Sequence, residues 1–233
     1  MSPRYTTLMA SLPPLGGLFE ARTPEISRLK LQSRLALLHP EDRRTFDLMV
    51  GLLSQTLWEE ENPAGPADAA VLEATRTFLQ EVPNPILREL VIFRLDLRTI
   101  LAALRRRHRG ESEPPVGEPW GFGQWVPAIE RHWREPAFRL EAVFPWLPQA
   151  LSLLEADELV DLERLSFRLL WQHLDRIGFG HHFDFEAVVI YVARWALVDR
   201  WSHFHGPEAV ERFRRLVRTG LGAHANLAAV PAT

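Results

Sequence analysis

The stretch "NPILRELVIFRLDLRTILAALRRRHRG", residues 84–110, decides the fold. Pro85 after Asn84 is a helix entry, because a proline at the first helical position gives up an N–H that has no partner there anyway. Gly110 is a natural stop. At 100° per residue, Ile86, Leu90, Phe93, Leu97, Ile100, Leu101 and Leu104 fall on one core-facing stripe. Leu87, Val91, Leu95 and Ala102 form a second apolar strip, so this helix is expected to be central and packed on two sides. Arg94, Arg98 and Arg105 lie on one line between the strips, with no acidic residue four positions away on that line. A desolvated guanidinium without a carboxylate is costly, so the acids must come from other elements.

Reading outward, the same entry signals recur at Thr23-Pro24, His39-Pro40 and Gly206-Pro207. Helices are predicted near 24–38, 41–61, 67–81, 85–109, 121–134, 146–155, 157–177, 185–203 and 207–220, with Gly178 and Gly220 as further stops. Only Tyr5 to Ser11 reads as extended. The fold class is therefore all-α, a multi-helix bundle of about nine helices in a single domain over 1–233. Loops fall at 62–68 and at 110–119, and the second, Pro-rich and acidic, is a possible boundary between two closely packed lobes. The tail 222–233 reads as frayed.

Composition narrows the function classes. The 233 residues are 46% apolar and 24% charged with a net charge of −3, enough apolar content for a sizeable core and too little basicity for nonspecific nucleic-acid binding. Cysteine is absent, which removes disulfides and thiolate chemistry. Ser11, Pro13 and Pro14 interrupt the first apolar run, and no uncharged apolar span reaches 18 residues, so a cytoplasmic location is expected.

The segment "FDFEAVVIYVARWALVDRW", 183–201, supplies a partner for the central helix. Asp184 can cap it, and Phe185, Val188, Val189, Val192, Trp195 and Ala196 form its core stripe, with Asp199 inside that stripe. A structural ion pair from Asp199 to Arg94 or Arg98 is the expectation; an exposed arginine ladder or a nucleic-acid contact are the other readings of the same line. The run Arg105, Arg106, Arg107, His108 and Arg109 suits the negative end of a helix dipole, and equally suits partner docking.

Eight tryptophans include Trp120, Trp125, Trp133 and Trp146, crowded just after the 110–119 loop. They suit packing around irregular chain, and Trp with Arg also marks interface anchors. Trp120 and Trp125, with Arg105, Arg106, Arg107 and Arg109, are the candidate partner-binding residues. His173 shares a face with Leu162, Leu169 and Ile177 and reads as a core histidine. His181, His182 and Asp184, with His203 and His205, flank one helix without the spacing of a helical metal site, so no metal or cofactor is expected. No phosphate loop, nucleophile elbow or zinc-protease motif is present, and no catalytic residue is assigned.

Three blocks, "RYTTLMASLPPL" (4–15), "LRELVIFRLDLRTILAALRRR" (87–107) and "FDFEAVVIYVARWALVDRW" (183–201), resemble those of the C-like family of bacterial V-type ATPase components, itself remotely similar to the archaeal C and eukaryotic d subunits. The resemblance implies a non-catalytic, all-helical central-stalk component of the rotor, seated between the shaft and the membrane proteolipid ring. Its partners would be other V-type ATPase subunits, and its membrane association indirect. The longer relatives have three similar helical lobes, for which this chain lacks room. A helical adaptor unrelated to ATPases, and a helical metalloenzyme built on the histidine-bearing loops, are the competing readings.

Overall fold

The computed structural model describes residues 4–20, 23–58, 68–115 and 120–205. Among them the chain is all-α, with no strand. The helices are α1 (Thr6–Ala10), α2 (Arg28–Leu35), α3 (Pro40–Trp58), α4 (Asp68–Glu81), α5 (Pro85–His108), α6 (Val126–Arg131), α7 (Leu147–Glu155), α8 (Leu159–Ile177) and α9 (Phe185–His205). The predicted entry at Gly206-Pro207, the 207–220 helix, the 222–233 tail and most of the 62–68 loop lie outside the described residues.

Helix α5 starts where its sequence dictates. The Asn84 side chain accepts from the N–H groups of Ile86 (3.1 Å) and Leu87 (3.2 Å), and Pro85 follows. The helix packs against α3, α6, α7, α8 and α9, which makes it the hub of the molecule. Both predicted strips are covered: Leu90, Leu97, Ile100, Leu101 and Leu104 on one side, Leu87, Val91 and Leu95 on the other, all at most 4% exposed.

Two hydrophobic cores result. The first joins the N-terminal half of α5 to α2, α3, the end of α8 and α9 through Leu87, Leu90, Leu174 and Val188. The second joins the C-terminal half of α5 to α6, α7 and the start of α8 through Ile100, Leu104, Ile129 and Leu162. The boundary between lobes therefore crosses the middle of α5 and α8, and the expected division at 110–119 is corrected. The reason is connectivity: the chain after that loop returns to α5 and completes the second core.

Three local expectations are also corrected. Within Tyr5 to Ser11 the chain forms a helix over Thr6–Ala10, tied down by Tyr5 N–H to the Phe183 carbonyl (2.8 Å) and by the Tyr5 hydroxyl on Asp42. Pro24 does not open α2; Ser27 caps it, accepting from the Lys30 N–H at 3.4 Å. The helix expected over 121–134 forms only at 126–131. Ahead of it, Phe122 exchanges hydrogen bonds with Thr99 on α5 (N–H to Oγ1 2.9 Å, Oγ1 to carbonyl 3.2 Å), and Gly123 takes a positive φ of 94°.

Gly123 lies so close to α5 that a Cβ there would meet Asp96 Oδ1 at 2.5 Å. Left-handed φ and steric overlap act together. Gly123→Ala is expected to destabilise the fold by roughly 2–4 kcal/mol, read as a lowered urea midpoint with unchanged slope; a loss under about 0.5 kcal/mol would show that the loop is not pinned there.

Candidate functional site

The charged residues predicted for the centre of the molecule do meet, though in a different pairing. Arg94, Arg98 and Arg105 of α5 share a small cleft of about 40 Å³ with Glu163 and Ser166 of α8 and Arg200 of α9. Arg200 is 6% exposed and pairs with Glu163 at 3.6 Å. The cleft sits at the junction of the two cores, where Leu101 and Leu170 come from opposite sides.

Asp199 does not point there. It pairs with Arg28 of α2 at 3.3 Å and with His203 at 3.5 Å, so the expected bond to Arg94 or Arg98 is corrected. One residue is 100° of helix, and that rotation gives the cleft to Arg200 and the α2 side to Asp199. Neither Glu163 nor Arg200 was singled out in the sequence, because each sits among many charges on helices with several apolar faces. Since Arg28 is largely exposed, Asp199→Asn is expected to cost less than about 1 kcal/mol in chemical denaturation.

The arginine run at the end of α5 is folded back on the protein. Arg106 and Arg109 both pair with Glu111, at 3.1 and 3.2 Å. Burial alone would raise the Glu111 carboxyl, yet the two guanidiniums hold it below its ordinary range. Arg107 donates to the carbonyls of Glu135 and Pro136 (2.7 Å for the latter), and its guanidinium lies 5.2 Å from the Phe138 ring centroid. Phe138 is fully buried with a φ of 54°, so Arg107 braces a strained turn. Within the chain, Arg105 lines the cleft, Arg106 and Arg109 hold the turn that follows α5, and Arg107 holds the turn at Phe138.

Of the two tryptophans proposed as anchors, Trp120 is buried and Trp125 half-buried. Trp120 is 5% exposed, edge-on to Trp133 at 5.8 Å, and donates to Glu130 at 3.0 Å. Trp125 packs on Phe144 and donates to Asp96 at 3.2 Å. Trp120 and Trp133 are core of the second lobe, with Trp125 and Phe144 half-buried against it, so Trp120 is not available as an anchor.

Two buried ionisable groups flank the cores. Burial pushes the Asp96 carboxyl up to about 6, against the opposing hydrogen bond from Trp125. Burial, aided by the Arg176 charge, pulls His173 down to about 4. His173 stacks flat on Phe93 (3.8 Å) and its Nδ1 accepts from Arg176 at 2.8 Å, so the imidazole is a neutral core residue as its helical position predicts. Its Nε2 and Asp96 Oδ1 have no hydrogen-bond partner among the described residues.

At the start of α9, His181, Asp184 and Glu186 bring three donor atoms within 4.8 Å of one another. Each has a structural task. Asp184 caps α9 through Ala187 N–H (3.0 Å) and holds His181 Nδ1 (2.8 Å), while Glu186 accepts from Asn84 (2.8 Å). The positive end of the α9 dipole favours these anions and opposes a cation. Together the contacts tie the entry of α9 to that of α5.

Residues 75–220 match the model of a family described as Protein of unknown function (DUF2764). The chain belongs to this family. The match takes in the whole of α5, both walls of the arginine cleft and the tryptophan core. No curated protein and no solved structure matches.

The two shifted groups make opposing contributions to stability. The raised Asp96 stabilises the fold below pH 4, and this is lost as pH rises through 6; the depressed His173 stabilises it above pH 6.5, and this is lost as pH falls through 4. Between pH 4 and 6 they largely cancel. Asp96→Asn is expected to unmask the His173 contribution, giving a protein more stable than wild type by about 1–3 kcal/mol at pH 7.5 and losing that margin towards pH 4. Denaturation at pH 4.5 and 7.5 checks it; an unchanged difference between the two pH values would refute the assignment.

Proposed function

We propose that this chain is a non-catalytic helical spacer of a V-type ATPase central stalk, linking the shaft to the proteolipid ring. The observation that carries the reading is where the three resembling blocks lie. Segments 4–15, 87–107 and 183–201 are far apart in sequence, yet they pack on one another. Tyr5 bonds to Phe183, Tyr191 donates to the Pro13 carbonyl at 2.8 Å, and Leu8, Leu87, Val91 and Val188 share the first core. A resemblance confined to unrelated surface segments would have no such coherence.

The architecture supports a load-bearing role. Helix α5 has 24 residues, about 36 Å at 1.5 Å per residue, and passes through both cores without interruption. Helix α8 also contributes to both cores. Close-packed interiors transmit strain well. No helix among the described residues is long and apolar enough to cross a membrane, so contact with the ring would run through protein surface.

Exposed apolar side chains offer further grip surfaces beside the residues proposed from the sequence. Leu159 and Val160, each 55% exposed, open α8, and Phe179, 91% exposed between two glycines, follows its other end. These apolar points are separated by the 19 residues of α8, about 28 Å. Exposed aromatic and aliphatic side chains on a rigid frame are the usual anchors of a protein interface.

Affinity purification of the tagged chain from its native host tests the reading: other V-type ATPase components are expected to elute with it. Phe179→Ser should lower the recovery of one neighbouring component at least fivefold while leaving helicity and melting unchanged, and Leu159→Ser with Val160→Ser should lower that of another. Recovery of no ATPase component overturns the rotor role.

A further inference from the structure

Between α2, α3, α5, α8 and α9 lies a cavity of about 300 Å³. It is no shallow groove, because its walls reach Met49, Leu90 and Leu174, each at most 2% exposed. A single water needs about 30 Å³ and two or more polar partners. This space is about ten times larger than that and mostly apolar, so its inner walls offer water few partners. Its polar lining is confined to Arg28, Gln32, Arg43, Asp47 and Arg94, three guanidiniums to one carboxylate.

The side chains of Arg28 and Arg43 are 63% and 42% exposed, which places them at the mouth. Arg43 engages Asp47 through Nε alone, at 2.8–2.9 Å, and Arg28 engages Asp199 through Nη2 at 3.3 Å. A guanidinium has five N–H donors, so each can hold its aspartate and a second anion together. Deep apolar walls with a cationic mouth are complementary to one kind of small molecule.

We propose that this cavity binds a single-chain amphiphile with an anionic head, the acyl tail among Met49, Leu90 and Leu174 and the carboxylate or phosphate group between Arg28 and Arg43. Pockets of this kind, largely apolar with a few convergent polar groups, are the usual form of a ligand site. The assignment goes beyond the spacer role and does not depend on it.

Titration of the full-length protein with dodecanoate below its micelle concentration, followed by calorimetry, is the test. One equivalent should bind saturably, at least tenfold more tightly than dodecyltrimethylammonium, which has the same tail and the opposite charge. Arg43→Glu should weaken dodecanoate at least fivefold. Ala193→Phe, which grows a ring into the cavity from α9, should abolish binding with melting and circular dichroism unchanged; Ala196→Phe serves if that variant does not fold. Flotation with phosphatidylglycerol vesicles separates the sources. Dodecanoate binding without flotation assigns a free acid, whereas flotation that the cavity-filling variant also abolishes assigns a membrane-derived chain. Absence of both, equal affinity for the cationic amphiphile, or indifference to the filled cavity overturns the site.

Discussion

Everything in this molecule depends on one helix passing through two cores while carrying charge at its middle. Leucines on both sides of α5 hold the cores, each contributing about 1.5–3 kcal/mol by burial. Between them, Arg94, Asp96, Arg98 and Thr99 form a polar waist. A waist of this kind is tolerated only when the elements crossing it bring matching groups. Here α8 brings the carboxylate of Glu163, which also takes Arg200 of α9, and the 120–125 loop brings the Trp125 N–H to Asp96 and the Phe122 backbone to Thr99. Continuous helical hydrogen bonding through α5 then couples the two cores, so that neither lobe can open without straining the other.

The second core shows what happens when few regular helices are available to fill a lobe. Between Trp120 and Trp146 only six residues are helical. Large rings take the place of leucine ladders, and side-chain bonds to backbone replace helical ones. Trp133 donates to the Glu111 carbonyl at 2.8 Å, Thr99 holds Phe122, and Arg107 gathers the carbonyls around Phe138. Tryptophan suits this task because it buries much area and still offers one N–H to an orphaned carbonyl or carboxylate.

That difference between the lobes explains what could be read from the sequence. Helices α5 and α8 were legible through their 3.6-residue periodicity, and α9, apolar on nearly every side, through its long apolar run and the Asp184 cap. The two-sided burial of α5 followed from its two strips. The extended reading of Tyr5 to Ser11 failed because a contact with Phe183, distant in sequence, stabilises a single helical turn. Trp120 looked like an anchor because local sequence does not show that residues 120–140 fold back on α5. Asp199 and Arg200 exchange their expected places because adjacent helical residues face directions about 100° apart, and a periodicity argument cannot choose between two faces that are both buried. The apolar cavity was invisible for the same reason: its lining comes from five helices, and no single one of them carries its signature.

Stiffness and an internal cavity are neighbours here, because Leu90 and Arg94 of α5 and Leu170 and Leu174 of α8 form one wall of the cavity while α2 and α3 form the opposite one. The uninterrupted path between the cores runs along α5 and α8, whose contacts at the waist lie apart from the mouth formed by Arg28 and Arg43. The cavity instead separates that path from α2 and α3, which reach the hub through Leu31, Leu35, Phe46 and Met49. Filling it would tighten the outer layer onto α5, α8 and α9, whose side chains form the facing wall, since a ligand shifts those equilibria for which it has differential affinity. Arg94 lines both the cavity and the charged cleft, and it does so from the middle of α5. Any coupling between the outer layer and the waist therefore has a short route through that guanidinium, on the helix that the rest of the fold is built around.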